Sequence, residues 1–188
     1  MEQQDLPTTS MVVLGGGYVG LEQAQLWAHL GVDVTLVGRV APYAEPEVAD
    51  VLRTAFQEEG ITVLEECGRE VAPHAGGVIV TTDSGVQVHG QRLLIATGRR
   101  ASTSGLGLEA AGIGTDARGF ILVDENLRTT NHRVHAAGDV SGAPQYVYVA
   151  AKTGRVAAAG ALGEPSTVDY RAACRGSPSP LRRWPAPD

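Results

Sequence analysis

Four apolar residues, Met11 to Leu14, run straight into three glycines in MVVLGGGYVGLE, Met11 to Glu22, and this junction limits the possible folds more than any other stretch. A short continuous apolar run reads as a strand buried on both faces. The glycines then open a segment of helical spacing, Tyr18 to Leu30, that stops at Gly31, and Val32 to Val37 resumes as a strand. Strand, helix and strand in that order form a βαβ unit and call for a parallel sheet. Gly15, Gly17 and Gly20 have the spacing GxGxxG. Between a strand and a helix each has a mechanical reason. Gly15 permits a tight turn, Gly17 lets a pyrophosphate approach the backbone, and Gly20 lets the helix pack close to the strand. The amides that open the helix supply the positive end that receives phosphates.

The pattern then repeats. After a Pro-containing loop, Glu47 to Glu59 has helical spacing through Val48, Val51, Leu52, Ala55 and Phe56, Gly60 ends it, and Ile61 to Leu64 adds a third parallel strand. Arg69 to Ala72, Val78 to Thr82 and Val86 to His89 are short β runs separated by AGG and DSG turns, the pattern of an antiparallel meander. LLIATG is another buried strand ending in a tight turn. Beyond Gly98 come a Gly/Ser-rich stretch, an expected strand at Phe120 to Val123, the run TTNHRVHAAGD and an Ala-rich helix from about Gln145 to Leu162. The apolar face of that helix is wide, with Val147, Val149 and Val156 among its residues, and it needs something to pack on. From Arg171 the sequence RAACRGSPSPLRRWPAPD has no periodicity and reads as disordered or extended.

The end of the second strand reports on the ribose of a dinucleotide, because an acidic residue there would bind the 2′-hydroxyl of NAD. This chain has VTLVGR instead, with Gly38 at the acidic position and Arg39 after it. That removes the repulsion toward a 2′-phosphate and offers a guanidinium, which favours NADP(H) over NAD(H). The other reading of Arg39 is an ordinary surface arginine.

Charge and cysteine content exclude several other functions. The formal net charge is −6 and the basic residues are scattered apart from a cluster near the end, so nucleic acid is not the expected partner. No window approaches the roughly 18 apolar residues of a membrane span. Met1 is followed by polar residues instead of a basic segment leading into an apolar one, so a cytoplasmic protein without membrane partners is expected. Cys67 and Cys174 are far apart and form no CxxC or CxxxxC spacing, and no paired histidines complete a metal site. No metal ligand and no catalytic residue is assigned.

The motifs described so far, together with IATGRR and HAAGDV, resemble in type and order those of the pyridine nucleotide-disulfide oxidoreductases, flavoproteins with an NAD(P) domain inserted in an FAD domain. The resemblance covers about Leu6 to Tyr170, and PQYVYVAAKTGRVAA, Pro144 to Ala158, is closer to the mercuric reductase branch than to lipoamide dehydrogenase or glutathione reductase. It implies an α/β fold: a Rossmann-like three-layer NAD(P)-binding domain with an antiparallel meander at 8–122, and the C-terminal segment of an FAD-binding domain at 123–165. Residues 166–188 would be a disordered tail.

The resemblance also implies the site. Gly15, Gly16, Gly17, Tyr18, Val19 and Gly20 would hold NADPH with Arg39, while Glu22 would hold the nicotinamide carboxamide and Tyr18 would cover that pocket at the flavin face. Val71 and the turn Ala96, Thr97, Gly98 and Arg99 would line the same nucleotide. Gly138 and Asp139 would meet FAD, Asp139 at its ribityl chain, and Val147 would approach the flavin through its backbone.

The activity implied is hydride transfer from NADPH to FAD, then to a cysteine pair, then to Hg(II). The chain departs from the family pattern in lacking a first FAD-binding GxGxxG, the CxxxxC pair and a dimerisation domain, and ATGRxPN reads IATGRRAS, with Ala101 and Ser102 in place of the proline and asparagine. A truncated or frame-shifted piece of such an enzyme is therefore expected, inactive by itself, with a homodimer only where the dimerisation domain is present. An NADPH-binding or partner-binding module without catalysis, and a lipoamide-dehydrogenase-like reductase, stay open as alternatives.

Overall fold

The computed structural model describes residues 8–164 and 166–170. The chain divides into two compact units, one up to Gly98 and one from Arg99 onward. This division by packing falls earlier in the chain than the 122/123 boundary expected from cofactor roles. Of the disordered tail expected at 166–188, residues 171–188, including Cys174, lie outside the described residues.

The first unit is the βαβ pattern carried to completion. Strands β1 (Ser10–Leu14), β2 (Asp33–Val37), β3 (Thr62–Leu64) and β7 (Arg92–Ile95) form a parallel sheet in the order β3-β2-β1-β7. Helices α1 (Tyr18–His29) and α2 (Pro46–Glu58) cross over between them. Strands β4 (Gly68–His74), β5 (Gly77–Thr82) and β6 (Gln87–Gly90) make the antiparallel meander. Successive strand residues point to opposite faces, and the two cores follow that rule. Met11 and Val13 of β1, with Val34 and Leu36 of β2, join Leu21, Ala24 and Phe56 from the helices. Val12, Leu14 and Val37 join Val80 and Val88 of the meander on the other face. This explains why VVL has no polar alternation: both sides are covered. Val12, Val13 and Leu36 are fully enclosed, and each contributes on the order of 2 kcal/mol by leaving water. An aspartate at Val13 would be a buried, unpaired charge and should break the unit.

Both helices stop where expected. Gly31 and Gly60, at φ 85° and 82°, follow the last turns, and Val32 and Ile61 donate their amides back to the Trp27 and Phe56 carbonyls at 3.1 and 2.9 Å. That is a Schellman closure, for which a left-handed glycine is the natural residue.

The second unit is built differently. Its core joins Ile113, Ile121 and Ala136 with half-buried Leu108, Val123, Val134 and Val140. Among the described residues, strand pairing in it is limited to two isolated bridges, Thr115 with Ile121 and Arg128 with His135. The strand expected at Phe120 to Val123 does not form. Its amides go to three different partners: Phe120 to the Asp116 carboxylate, Ile121 to the Val140 carbonyl and Leu122 to the Gly114 carbonyl. Residues 114–116 pair with it only through the Thr115–Ile121 bridge, too short a run to make a strand. Helix α3 (Val147–Ala161) starts two residues later than expected and buries Val149, Thr153 and Val156, while Val147 is left 89% exposed. A 3-10 helix, Gly138–Ser141, lies in the run AAGDVS, where the sequence offered no sign of one. Contacts continue to Asp169, whose carbonyl accepts from Lys152 Nζ at 2.9 Å, and Val168 donates to the Glu125 carbonyl at 3.0 Å. Among the described residues no helix is long and apolar enough to cross a membrane.

A glycine cradle at the carboxyl ends of the parallel strands

The glycine loop follows β1 at the carboxyl end of the sheet, the edge where open α/β sheets bind ligands. Three of its glycines are required by neighbouring backbone. A Cβ on Gly15, at φ 108°, would lie 2.4 Å from the Ala96 carbonyl oxygen, one on Gly16 would lie 2.0 Å from the Arg39 oxygen, and one on Gly20 would lie 1.8 Å from the Gly15 oxygen. Gly17 differs: an added Cβ there meets nothing within 4 Å. Gly17 is also the N-cap of α1 and no side chain caps that end. The first-turn amides of a helix have no intrahelical partner, so open space and unclaimed donors coincide at one point. The arrangement suits a diphosphate: helix-opening amides without intrahelical partners stand where only Gly17 faces open space.

These contacts bring three expected segments together. The Ala96 turn touches Gly15, and Ala96 donates to the Leu14 carbonyl at 2.7 Å. The Arg39 turn touches Gly16, and Ala41 donates to the Gly16 carbonyl at 2.8 Å. Tyr18 and Glu22 are one turn apart on α1, both exposed, so they share a face beside the cradle. Val19, also in the first turn of α1, is exposed, as are Thr97 and Gly98. Val71 stands in register with Val80 in the meander, and none of the contacts joining the loop and its two turns runs through it.

Gly38 has a structural reason the sequence did not reveal. It sits at φ 144°, and a Cβ would come 2.9 Å from the Gly16 amide nitrogen. An acidic side chain is therefore absent from this position because there is no room for one. Arg39 next to it is exposed.

Sequence reasoning missed the carboxylate that supports this turn. Glu65 Oε1 accepts from the Val40 amide at 3.1 Å, and Oε2 accepts from Arg53 Nε at 2.7 Å. Arg53 Nη1 also reaches Asp50 at 2.6 Å. The Arg53 hydrogen bond holds the Glu65 carboxyl below the usual carboxylate range, helped by the Val40 amide and by the charges of Arg53 and Arg39, with burial acting the other way. The available signal was position: Glu65 directly follows β3, at the same sheet edge as the glycine loop.

The remaining expected residues belong to the second unit. Arg99 Nη1 and Asp139 Oδ2 are 3.6 Å apart, both more than half exposed. Gly138, at φ 75°, donates its amide to Thr153 Oγ1 at 3.0 Å. Thr153 is fully buried and bonds the Val149 carbonyl at 2.9 Å, so it ties the Gly138–Asp139 corner to α3. Val147 opens α3, whose N-terminus also has no side-chain cap. Cys67 is exposed, and among the described residues no group of three or more His, Cys, Asp or Glu could hold a metal ion.

The βαβ sheet, the meander over its second face and the glycine cradle define a Rossmann-type unit of the flavoprotein reductase class. The family profile described as pyridine nucleotide-disulphide oxidoreductase matches residues 1–154, and the chain belongs to that family. It is 50% identical to a mercuric reductase of Streptomyces lividans over 179 residues, covering 92% of this chain and 38% of that protein. It is 32% identical to dihydrolipoyl dehydrogenase 3 of Haloarcula marismortui, covering 89% of this chain and 38% of that one. Among solved structures, LpdA of Mycobacterium tuberculosis superposes with a TM-score of 0.81 at 35% identity, covering 89% of this chain and 38% of that one. The chain thus spans well under half the length of these relatives.

Proposed function

We propose that this chain is the pyridine-nucleotide part of a cytoplasmic FAD-dependent reductase, that it takes NADPH in preference to NADH, and that the whole enzyme delivers electrons to Hg(II). The observation that carries the nucleotide reading is the contrast at the cradle: Gly15, Gly16 and Gly20 are closed off by backbone while Gly17 faces open space at an uncapped helix end. In this reading the amides of Gly17 to Gly20 bind the diphosphate, and Arg39 pairs with the 2′-phosphate. Glu22 holds the nicotinamide carboxamide and Tyr18 covers that pocket, while Val71 and residues 96–99 flank the nucleotide. Gly138 and Asp139, at the start of the 3-10 helix, and the exposed opening of α3 at Val147 fit an elongated polar cofactor such as FAD.

FAD, held at Gly138, Asp139 and the opening of α3 at Val147, would supply the two-electron redox chemistry that the side chains lack. The Hg(II) assignment rests on the likeness to the Streptomyces lividans mercuric reductase; the likeness to dihydrolipoyl dehydrogenase supports a second reading with a dithiol substrate. The sequence holds only Cys67 and Cys174, which do not form a CxxxxC pair. The 188 residues are accordingly expected to bind NADPH without sustaining Hg(II) reduction. The test is NADPH oxidation by the purified chain with added FAD and thiol-complexed Hg(II). NADPH binding without turnover agrees with the proposal; sustained turnover that disappears in Gly17→Trp would require a reactive centre elsewhere in the chain.

A further inference from the structure

The turn that carries Arg39 is held from three sides. Gly38 donates to the Leu64 carbonyl at 2.9 Å, Val40 to Glu65 at 3.1 Å and Ala41 to the Gly16 carbonyl at 2.8 Å. Ala41 has φ 43°, a conformation that a residue with a Cβ keeps only where its surroundings impose it. A neutral acceptor at position 65 would satisfy the Val40 amide equally well. The chain has instead a carboxylate bound to Arg53, which is itself bound to Asp50. Charges of alternating sign, Asp50, Arg53 and Glu65, therefore lead from α2 to the Val40 amide, one residue beyond Arg39. The charge of Arg39 favours the ionised Glu65 carboxylate. Glu65 is bonded to the residue after Arg39, so its negative charge stands beside the Arg39 turn and opposes the approach of a phosphate there.

We propose that Glu65 and Arg53 set how strongly the nucleotide site prefers a 2′-phosphate, Glu65 lowering the preference and Arg53 restoring it. The inference rests on the reading of Arg39 as the phosphate ligand and deepens it. Glu65 and Arg53 are positioning residues that act through the Arg39 turn and its field.

The opposite signs separate this role from a merely structural one. If the pair only braced the turn, removing either member would loosen the same three bonds and shift nucleotide preference the same way. If charge decides, Glu65→Gln raises the preference and Arg53→Gln lowers it. The experiment is calorimetric titration of the full chain with adenosine 2′,5′-bisphosphate and with AMP, in the starting protein, Glu65→Gln, Glu65→Asp and Arg53→Gln. The ratio of the two affinities should rise about threefold in Glu65→Gln and fall about threefold in Arg53→Gln, the scale of exposed charge pairs. Glu65→Asp, which keeps the charge but shortens the reach, should stay near the starting ratio. All shifts should shrink between ~0.01 M and ~1 M salt.

Shifts of the same sign in Glu65→Gln and Arg53→Gln, or none in either, overturn the inference while leaving the Arg39 reading standing, provided that Arg39→Ala abolishes the preference. Equal binding of both ligands in the starting protein, or binding of neither, overturns the Arg39 reading and this inference together. Should Glu65→Gln fail to fold, the sign of the change in Arg53→Gln decides.

Discussion

The two units of this chain reach order by different means. In the first, the central strands of a parallel sheet are covered on both faces, and the glycine cradle is fixed by backbone meeting backbone: Gly15 against Ala96, Gly16 against Arg39, Gly20 against Gly15. In the second, order comes from side chains that cap turns. Asp116 accepts from the Arg118 and Phe120 amides, Asp124 accepts from the Asn126 and Arg128 amides, and Thr153 holds Gly138. Backbone-to-backbone packing leaves few permitted residues, whereas a capped turn depends on single polar atoms. The first unit should therefore fail through steric crowding and the second through lost hydrogen bonds.

The largest expected effect tests the crowding. Gly20→Val would put a side chain where a Cβ already lies 1.8 Å from a carbonyl oxygen. It should cost roughly 3 kcal/mol or more, read as a lowered midpoint in urea unfolding. Gly17→Ala is the matched control, since φ is −75° and nothing lies within 4 Å. Its stability should stay within about 0.5 kcal/mol of the starting protein, while NADPH binding falls because the new methyl occupies the approach to the amides. Equal stability losses in the two variants would erase the distinction between packed and open glycines.

In the second unit, Thr153→Val preserves shape and removes the hydroxyl. The Gly138 amide loses its partner, and a cost of about 1–3 kcal/mol should follow. Hydrogen exchange at Gly138 should speed up while amides of β1 and β2 keep their protection. A uniform change in protection would mean that the two units open together.

The smallest effect concerns pH. The Glu65 carboxyl is lowered from its ordinary 4.5 in the folded chain, chiefly by Arg53. Its contribution to stability is therefore fully present above the ordinary value and is lost as pH falls through the lower, folded value. Because the pair is solvent-facing the effect is small and screened by salt. The stability difference between the starting protein and Glu65→Gln should be present at neutral pH and vanish in acid; a difference that grows in acid would reverse the sign of the coupling.

Much of the first unit was legible because its signals are local. VVLGGG, the helical spacing after Tyr18 and the glycines at 31 and 60 each fix a conformation within a few residues. The meander was legible for the same reason, through its turns. What stayed hidden depends on partners far along the chain. Glu65 meets Val40 across 25 positions, and nothing in TVLEEC says which glutamate turns toward the sheet edge. Gly38 read as a missing carboxylate, and only the fold shows that Gly16 occupies the space. Phe120 to Val123 looked like a strand because it is apolar and β-branched, but its pairing with residues 114–116 stops at one bridge, and the Ile121 amide goes to Val140 instead. The Gly138–Thr153 tie was equally out of reach, since a buried threonine within a helix carries no mark of its distant donor.

On this reading the first unit presents a ready-made dinucleotide cradle whose Arg39 selects the 2′-phosphate. The most direct test is calorimetric titration of the full chain with NADPH and, separately, NADH in low-salt buffer, repeated with Arg39→Ala. NADPH should bind about tenfold more tightly, a difference of about 1.4 kcal/mol, and Arg39→Ala should abolish the gap. Equal affinities in the starting protein, or a preference for NADH, would contradict that selection.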